Sequence, residues 1–496
     1  MNLLCALALV LALSPVATPA QTVRAHSALL QVAAEQPNAT VQVIVQKAVS
    51  GTNLEGLVAR LGGTITQDLQ IINAFAAEMT AGAARELAAN PAVRWVSLDA
   101  TVNSAACAQC VDTTNLVNTY IRTVRADQVW NNSSYLQGQA IGVAVVDSGV
   151  NPNGDLYTSM GVNRQVANVR FNSDYNQSVF DGYGHGTHVA SIVGGDGSES
   201  GGRYIGVAPM VNIVNVKVSN DDGSATIKDV VLGLQWVLEN KSRFNIRVVN
   251  LSLNSSVSES YHTSPLDAAV EVLWFNKIVV VASAGNQGSG AIYPPANDPF
   301  IITVGATDDK GTPGLSDDVT ASFSAYGTTS EGFQKPDLVA PGANITARLV
   351  NSNMGLAGAH PANKVGDQYF RMSGTSMAAP IVSGAIALLL QDEPNLTPDQ
   401  VKYRLMATAN VNWPSYNAAK AGAGYLDIYA AVNGATTQSA NTNVTASQLL
   451  WTGSQPVTWG SVNWNSVNWN SVNWNSVNWN SVNWNSVNWN SDYWGP

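Results

Sequence analysis

The chain has 496 residues, 45% of them hydrophobic and only 12% charged, and a formal net charge of −10. That length accommodates two or three domains with a large core, and the acidic balance argues against a nucleic-acid partner. From Met1 to about Ala20, an eleven-residue apolar run (3–13) is followed by Ser14, Pro15 and small residues. The run is too short to span a bilayer and reads as an export signal cleaved after Ala20, although the usual Lys or Arg ahead of it is missing. No later segment reaches eighteen unbroken apolar residues, so a soluble, secreted product without a membrane span is expected.

From Val23 to Ala106 the pattern is that of a small α/β unit. Strands at 41–46, through Ile65, at 74–79 and at 93–97 alternate with amphipathic helical stretches at 54–61 and 83–89. This β-α-β-β-α-β order is ferredoxin-like. Cys107 and Cys110 then form a lone Cys-x-x-Cys in a polar linker. The second pair of a structural zinc site is absent, as are the flanking strand and helix of a thioredoxin motif. A local disulfide and two plain linker thiols both fit.

Beyond the linker, strands at 141–146, 211–218, 246–251, 278–282 and 300–304 alternate with helices around Val189, at 228–238 and at 266–275. That alternation predicts an α/β fold with a doubly wound, mostly parallel sheet. Ile141-Gly-Val-Ala-Val-Val-Asp147 ends a buried strand on a carboxylate. Asp181-Gly-Tyr-Gly-His185-Gly-Thr-His188 is a Gly-rich loop entering a helix. Ser373-Gly-Thr-Ser376-Met-Ala-Ala-Pro380 turns into an Ala-rich buried helix, 381–390. A serine at a helix N-terminus sits beside unpaired N–H groups and the positive end of the dipole, so it is either a cap or a nucleophile that needs a base. All five histidines (His26, His185, His188, His262 and His360) precede Ser376. The α/β-hydrolase order, in which a histidine follows the serine, is thereby excluded.

Val145-Val-Asp147-Ser-Gly, His185-Gly-Thr-His188-Val-Ala and Gly374-Thr-Ser376-Met-Ala-Ala-Pro380 resemble the three signatures of the subtilisin-like serine peptidases, the subtilases. The Asp, His, Ser order is a known property of that family and does not follow from the spacing. Val279-Val-Val-Ala-Ser-Ala-Gly-Asn286 adds a fourth match, and the resemblance covers about 120–440. It implies a secreted serine endopeptidase in which Ser376 is the nucleophile, His185 the general base and Asp147 the group that orients His185. Asn286 and the Ser376 N–H would form the oxyanion hole.

The resemblance also implies an extended polypeptide substrate paired beside Ser252, Leu253 and Asn254 and beside the loop with Ser224 and Ala225, with Gly285 at the pocket. The family's Gly-Gly after Ser-Leu is missing, so the Asn254 side chain is expected to narrow or roof the primary pocket. Ile227 and Val230 suggest an apolar outer pocket. His188 is expected to pack inside the domain. No cofactor is required. Structural calcium is common in the family, but Asp221, Asp222, Asp317 and Asp318 read as solvated turn acids and no metal ligand is assigned. By position and pattern the small N-terminal unit resembles the family's inhibitory propeptide, an intramolecular inhibitor of its own catalytic domain.

After about Gly434 the chain becomes Thr-, Asn- and Ser-rich, then repeats Ser-Val-Asn-Trp-Asn six times between Ser461 and Asn490, with Asp492 the only charge in this tail. A period of five suits neither helix nor flat strand, and low complexity without a core favours disorder. Attachment to a polysaccharide or cell surface through stacked Trp is the other reading. The expected organisation is a signal at 1–20, propeptide and linker at 21–112, the catalytic domain at 113–440 and the repeat tail at 441–496. A catalytically silent binding or adhesion protein that works through the tail is the alternative function; the presence of Asp147, His185, Ser376 and Asn286 argues against it.

Overall fold

The computed structural model describes residues 23–49, 51–100, 110–132, 134–172, 178–350, 353 and 355–450, and the backbone of Val487–Asn488. The chain divides into two compact units, Met1–Cys107 and Ala108–Pro496. The expected export signal lies outside the described residues.

The first unit runs α1 (Ser27–Glu35), β1 (Thr40–Lys47), α2 (Glu55–Arg60), β2 (Thr64–Leu69), β3 (Ala74–Thr80), α3 (Ala81–Ala88) and β4 (Val93–Leu98). Its four strands form an antiparallel sheet in the order β2-β3-β1-β4, the ferredoxin-like arrangement. Val43, Val45, Phe75, Ala77 and Met79 alternate along the two central strands and bury one face under Leu29 of α1 and Leu87 of α3. Helix α1 was not expected from the sequence. Its Leu29 and Ala33 give only two buried positions, and its N-cap is a histidine, His26, which accepts from the Ala28 N–H.

The second unit begins with α4 (Thr119–Thr123), α5 (Asp127–Trp130), β5 (Gly142–Asp147), β6 (Gln165–Arg170), α6 (His185–Gly194), β7 (Asn212–Lys217) and α7 (Ile227–Asn240). It continues with β8 (Ile246–Leu251), β9 (Asn254–Ser255), α8 (Pro265–Phe275), β10 (Val279–Ser283), β11 (Ile302–Asp308) and β12 (Val319–Thr320). Then come β13 (Gly327–Thr328), β14 (Gln334–Lys335), β15 (Leu338–Pro341), β16 (Ile345–Arg348), α9 (Gly355–Ala359), β17 (Lys364–Val365) and β18 (Tyr369–Met372). The last elements are α10 (Thr375–Asp392), α11 (Pro398–Ala407), α12 (Ala418–Ala421), α13 (Ile428–Val432) and β19 (Val487–Asn488).

The main sheet has eight strands in the order β12-β11-β10-β8-β5-β7-β6, with β15 also paired to β11, and every pairing except β12 with β11 is parallel. A parallel sheet covered on both faces needs mostly apolar strands, and β5 and β10 supply them, while β8 carries Arg247 and the buried Asn250 among its apolar residues. Each fully buried Val or Ile there contributes about 1.5–3 kcal/mol. Helices α6 and α10 pack together and α7 packs with α8. From β5 the chain winds first toward β7 and β6, then to the other side through β8, β10 and β11. The carboxyl ends of β5 and β8 therefore flank the switch point, where sheets of this kind bind ligands.

Cys110 is disulfide-bonded, which favours the disulfide reading of the Cys-x-x-Cys; Cys107 lies outside the described residues. Residues 441–450, assigned to the tail from sequence, pack on the large unit. Ala446 and Ser447 are fully buried, and the Glu271 carboxylate accepts the Ser447 N–H. Most of the repeat region lies outside the described residues. Among the described residues, the one helix long and apolar enough to cross a membrane is α10, and it is buried in the core.

Candidate active site

Asp147 ends β5 and is fully buried, so its carboxylate sits at the sheet edge with little water to solvate it. His185, the first residue of α6, lies against it, with Nδ1 2.8 Å from one carboxylate oxygen and 3.0 Å from the other. The Ser148 N–H donates to the same carboxylate at 2.7 Å. The start of α6 is fixed by a residue the sequence reading passed over. Buried Asp181 accepts five hydrogen bonds: from Ser148 Oγ and the N–H groups of Tyr183 and Gly184 on one oxygen, and from the Thr187 N–H and hydroxyl on the other. Burial raises the Asp181 pKa, and these donors oppose that shift. A Cβ on Gly186 would lie 2.2 Å from the Gly149 carbonyl oxygen, so only glycine lets α6 begin this close to the end of β5. Beneath the turn, the buried Lys217 ammonium donates to the carbonyls of Ser148 and Phe180.

One turn further along α6, His188 packs as expected. Its Nε2 is 3.0 Å from the Phe370 carbonyl, and burial pulls its pKa down to about 3, so the ring is neutral and Nε2–H donates.

Ser376 is the second residue of α10. The first turn of this helix has N–H groups without intrahelical acceptors, and Asn286 takes one of them: its Oδ1 accepts the Thr375 N–H at 2.8 Å and the Thr375 hydroxyl at 3.0 Å. The Gly285 N–H in turn donates to Thr375 Oγ1 at 3.1 Å. Asn286 Oδ1 is thus committed to the start of α10.

Pro380 lies inside α10 and has no N–H for the carbonyl four residues earlier, which is that of Ser376. Ser252 Oγ fills that place, donating to the Ser376 carbonyl at 2.9 Å, while the Ser376 hydroxyl donates to the Ser252 carbonyl at 3.3 Å. Asn250 and Ser383 complete the chain: Asn250 Nδ2 donates to Ser252 Oγ, and Ser383 Oγ donates to Asn250 Oδ1, both at 2.9 Å. A proline four residues after Ser376 signals that its carbonyl needs a donor from outside the helix, without saying which.

Leu253 is buried and Asn254 half-buried. The Asn254 side chain is tied across to β10, Nδ2 donating to the Ser283 carbonyl at 2.9 Å. Ser224 is exposed in a turn bonded to Asp222, and Ala225 is buried just before α7. That turn rests on the loop ahead of His185: a Cβ on Gly223, whose φ is +84°, would lie 2.7 Å from the Tyr183 ring. The structure thus brings Asp147, His185 and Asp181 together at one helix start and Ser376, Asn286 and Ser252 at another, and the two helices pack on each other.

The acids read as solvated need one correction. Asp222 and Asp317 are exposed and Asp221 pairs with Lys217, but Asp318 is buried and its pKa is pushed up to about 6 by burial. Among the described residues, no three His, Cys, Asp or Glu side chains form a metal-holding group.

Residues 138–446 match the subtilase family. The chain is 38% identical over 328 residues to the serine protease AprX of Bacillus subtilis (strain 168), covering 64% of this chain and 72% of the relative. It is 30% identical over 348 residues to an alkaline protease of Shouchella clausii, covering 70% and 76%. It is 29% identical over 388 residues to subtilisin E of B. subtilis (strain 168), covering 77% and 87%. The chain belongs to the subtilase family and is a serine endopeptidase of subtilisin type.

Proposed function

We propose that Asp147, His185 and Ser376 are the catalytic triad of a secreted endopeptidase that processes itself from a propeptide-inhibited precursor. The observation that carries this reading is the His185 ring held by both oxygens of a buried carboxylate at the switch-point edge of the sheet, in the helix layer that also carries Ser376.

With Nδ1–H donated to Asp147, Nε2 is the basic nitrogen. It takes the Ser376 proton as Oγ attacks the scissile carbonyl carbon, and Asp147 stabilises the imidazolium without being protonated. The oxyanion would accept from Asn286 Nδ2 and the Ser376 N–H. His185 then gives its proton to the leaving amine as the C–N bond breaks. Water attacks the acyl-enzyme, His185 takes its proton, and that proton returns to Ser376 Oγ as the acid leaves. Ser252, Leu253 and Asn254 on one side and Ser224 and Ala225 on the other would hold the extended substrate, with Gly285 lining the pocket. No cofactor takes part in these steps; a structural calcium site stays unassigned.

The separate core of the first unit supports its reading as a propeptide. The N–H and C=O of Val111 are both bonded to the Asn131 side chain. Self-cleavage is expected between about residues 100 and 124, and only a cut upstream of Val111 would keep these bonds. Ser376→Ala, made without other proteases, is expected to accumulate with the first unit attached and to hydrolyse no peptide. A mature N-terminus at the wild-type position in that variant would mean that another enzyme does the cutting.

A further inference from the structure

Strand β9 lies apart from the main sheet and starts two residues after Ser252, whose carbonyl accepts the Ser376 hydroxyl. The body of the domain holds it on one side: the Ser255 N–H donates to the Pro294 carbonyl at 2.6 Å, and Asn254 Nδ2 donates to the Ser283 carbonyl at 2.9 Å. Successive residues of a strand turn their N–H and C=O groups to opposite edges, so the Asn254 backbone serves the other edge. That edge is taken by β19, antiparallel, with Val487 opposite Ser255 and Asn488 opposite Asn254. As the tail runs forward from Val487 to Asn488, its partner runs from Ser255 through Asn254, toward Ser252 and the serine. Val487 and Asn488 are the second and third residues of the sixth Ser-Val-Asn-Trp-Asn repeat.

We propose that the β9 edge is a docking site for the chain's own Ser-Val-Asn-Trp-Asn repeats, which add to it as an antiparallel strand and compete with extended polypeptide substrates for the approach to Ser376. The proposal rests on the triad reading above. Strand addition draws its affinity from main-chain hydrogen bonds, which any of the six identical repeats presents in the same way. The repeats carry no charge, so docking beside the site desolvates no ionised side chain. Because the ligand is tethered, its effective concentration is of millimolar order, and a pairing of only two residues can still be populated. The repeats then act as a brake that a long, tightly paired substrate displaces.

The test compares the full mature enzyme with two forms: one ending at Leu450, and one of full length carrying Pro in place of the third residue of every repeat (Asn463, Asn468, Asn473, Asn478, Asn483 and Asn488). Proline removes the backbone N–H that a ladder needs. Both forms are expected to show a KM for a decapeptide several-fold below that of the intact enzyme, an unchanged kcat, and an unchanged KM for a single-residue ester that cannot reach β9. The synthetic peptide Ser-Val-Asn-Trp-Asn-Ser-Val-Asn-Trp-Asn should inhibit the shortened enzyme competitively toward the decapeptide, and its Asn-to-Pro counterpart should not. Equal decapeptide KM in all three forms, with normal ester hydrolysis, overturns the docking proposal and leaves the triad standing. Absence of ester hydrolysis in all three would instead bring down the triad reading.

Discussion

The two helix starts that build the site are held by opposite chemistries. The α6 end, with His185, is organised by the buried carboxylates Asp147 and Asp181, whereas the α10 end, with Ser376, is organised by the neutral groups of Asn286, Thr375 and Ser252. The difference follows the charge that each end would carry in the proposed mechanism. There a cation would form on His185, and a buried anion lowers its energy. An anion would form beside Ser376, where a carboxylate would oppose it and where the helix amides must stay available. Each end is thus fixed in position without placing the wrong sign of charge next to the reacting atom.

Removing single groups from each end gives the sharpest tests. Ser376→Ala and His185→Ala are each expected to remove about 10⁶ in kcat, the size known for subtilisin, and the double variant should cost little more than either single one. Additive losses in steady-state assays would break the triad. Asn286→Leu should lower kcat by about 10²–10³ with KM nearly unchanged, again the size known for the equivalent subtilisin donor, because this group serves the transition state. An unchanged kcat would remove Asn286 from the oxyanion hole. Asp181→Asn turns an NH₂ toward either the Thr187 donors or the Ser148, Tyr183 and Gly184 donors. It should destabilise the fold by about 1–3 kcal/mol in denaturant melts and lower kcat through His185. Unaltered stability would show that the α6 end does not depend on that carboxylate.

The smallest expected effect lies away from the site. Burial raises the Asp298 pKa from 3.8 to about 6 although Lys335 and Lys402 pull it down, and buried Asp267 and Glu271 are raised as well. A raised acid contributes stability that is full below the unfolded value and is lost as pH rises through the folded one, so the window runs from about 4 to 6. Asp298→Asn keeps an acceptor for the Phe300 N–H and removes that loss. Its melting temperature should gain about 2–5 °C on the wild type between pH 4 and pH 6.5, and a pH-independent difference would refute the assignment.

Much of this was legible in the sequence because parallel sheets write themselves plainly. The apolar runs of β5 and β10 are plain strand signals and Asp147 stands at the end of the first, whereas Ser252 and Asn286 were picked out by the resemblance to the subtilases. What escaped notice depends on partners distant in sequence or on mixed exposure. Strand β6 is a sheet edge whose three apolar residues follow no period of two and which is mostly half-exposed, so its signal is weak. Asp181 looks like any turn acid until five donors converge on it. Ser252 is joined to Ser376 by the gap that Pro380 leaves, across 124 residues. Asp318 reads as solvated because its neighbours are polar, yet the fold buries it. The pairing of β19 with β9 has no local signal, since a five-residue period favours neither element.

The proposed mechanism requires Ser376 to be a nucleophile activated by His185. Treating the purified mature enzyme and its His185→Ala variant with a serine-directed fluorophosphonate, followed by peptide mapping, measures this directly. A single adduct on Ser376 in the wild type, formed orders of magnitude more slowly in His185→Ala, is the expected result. An adduct on another serine, or equal labelling rates in the two proteins, would contradict it.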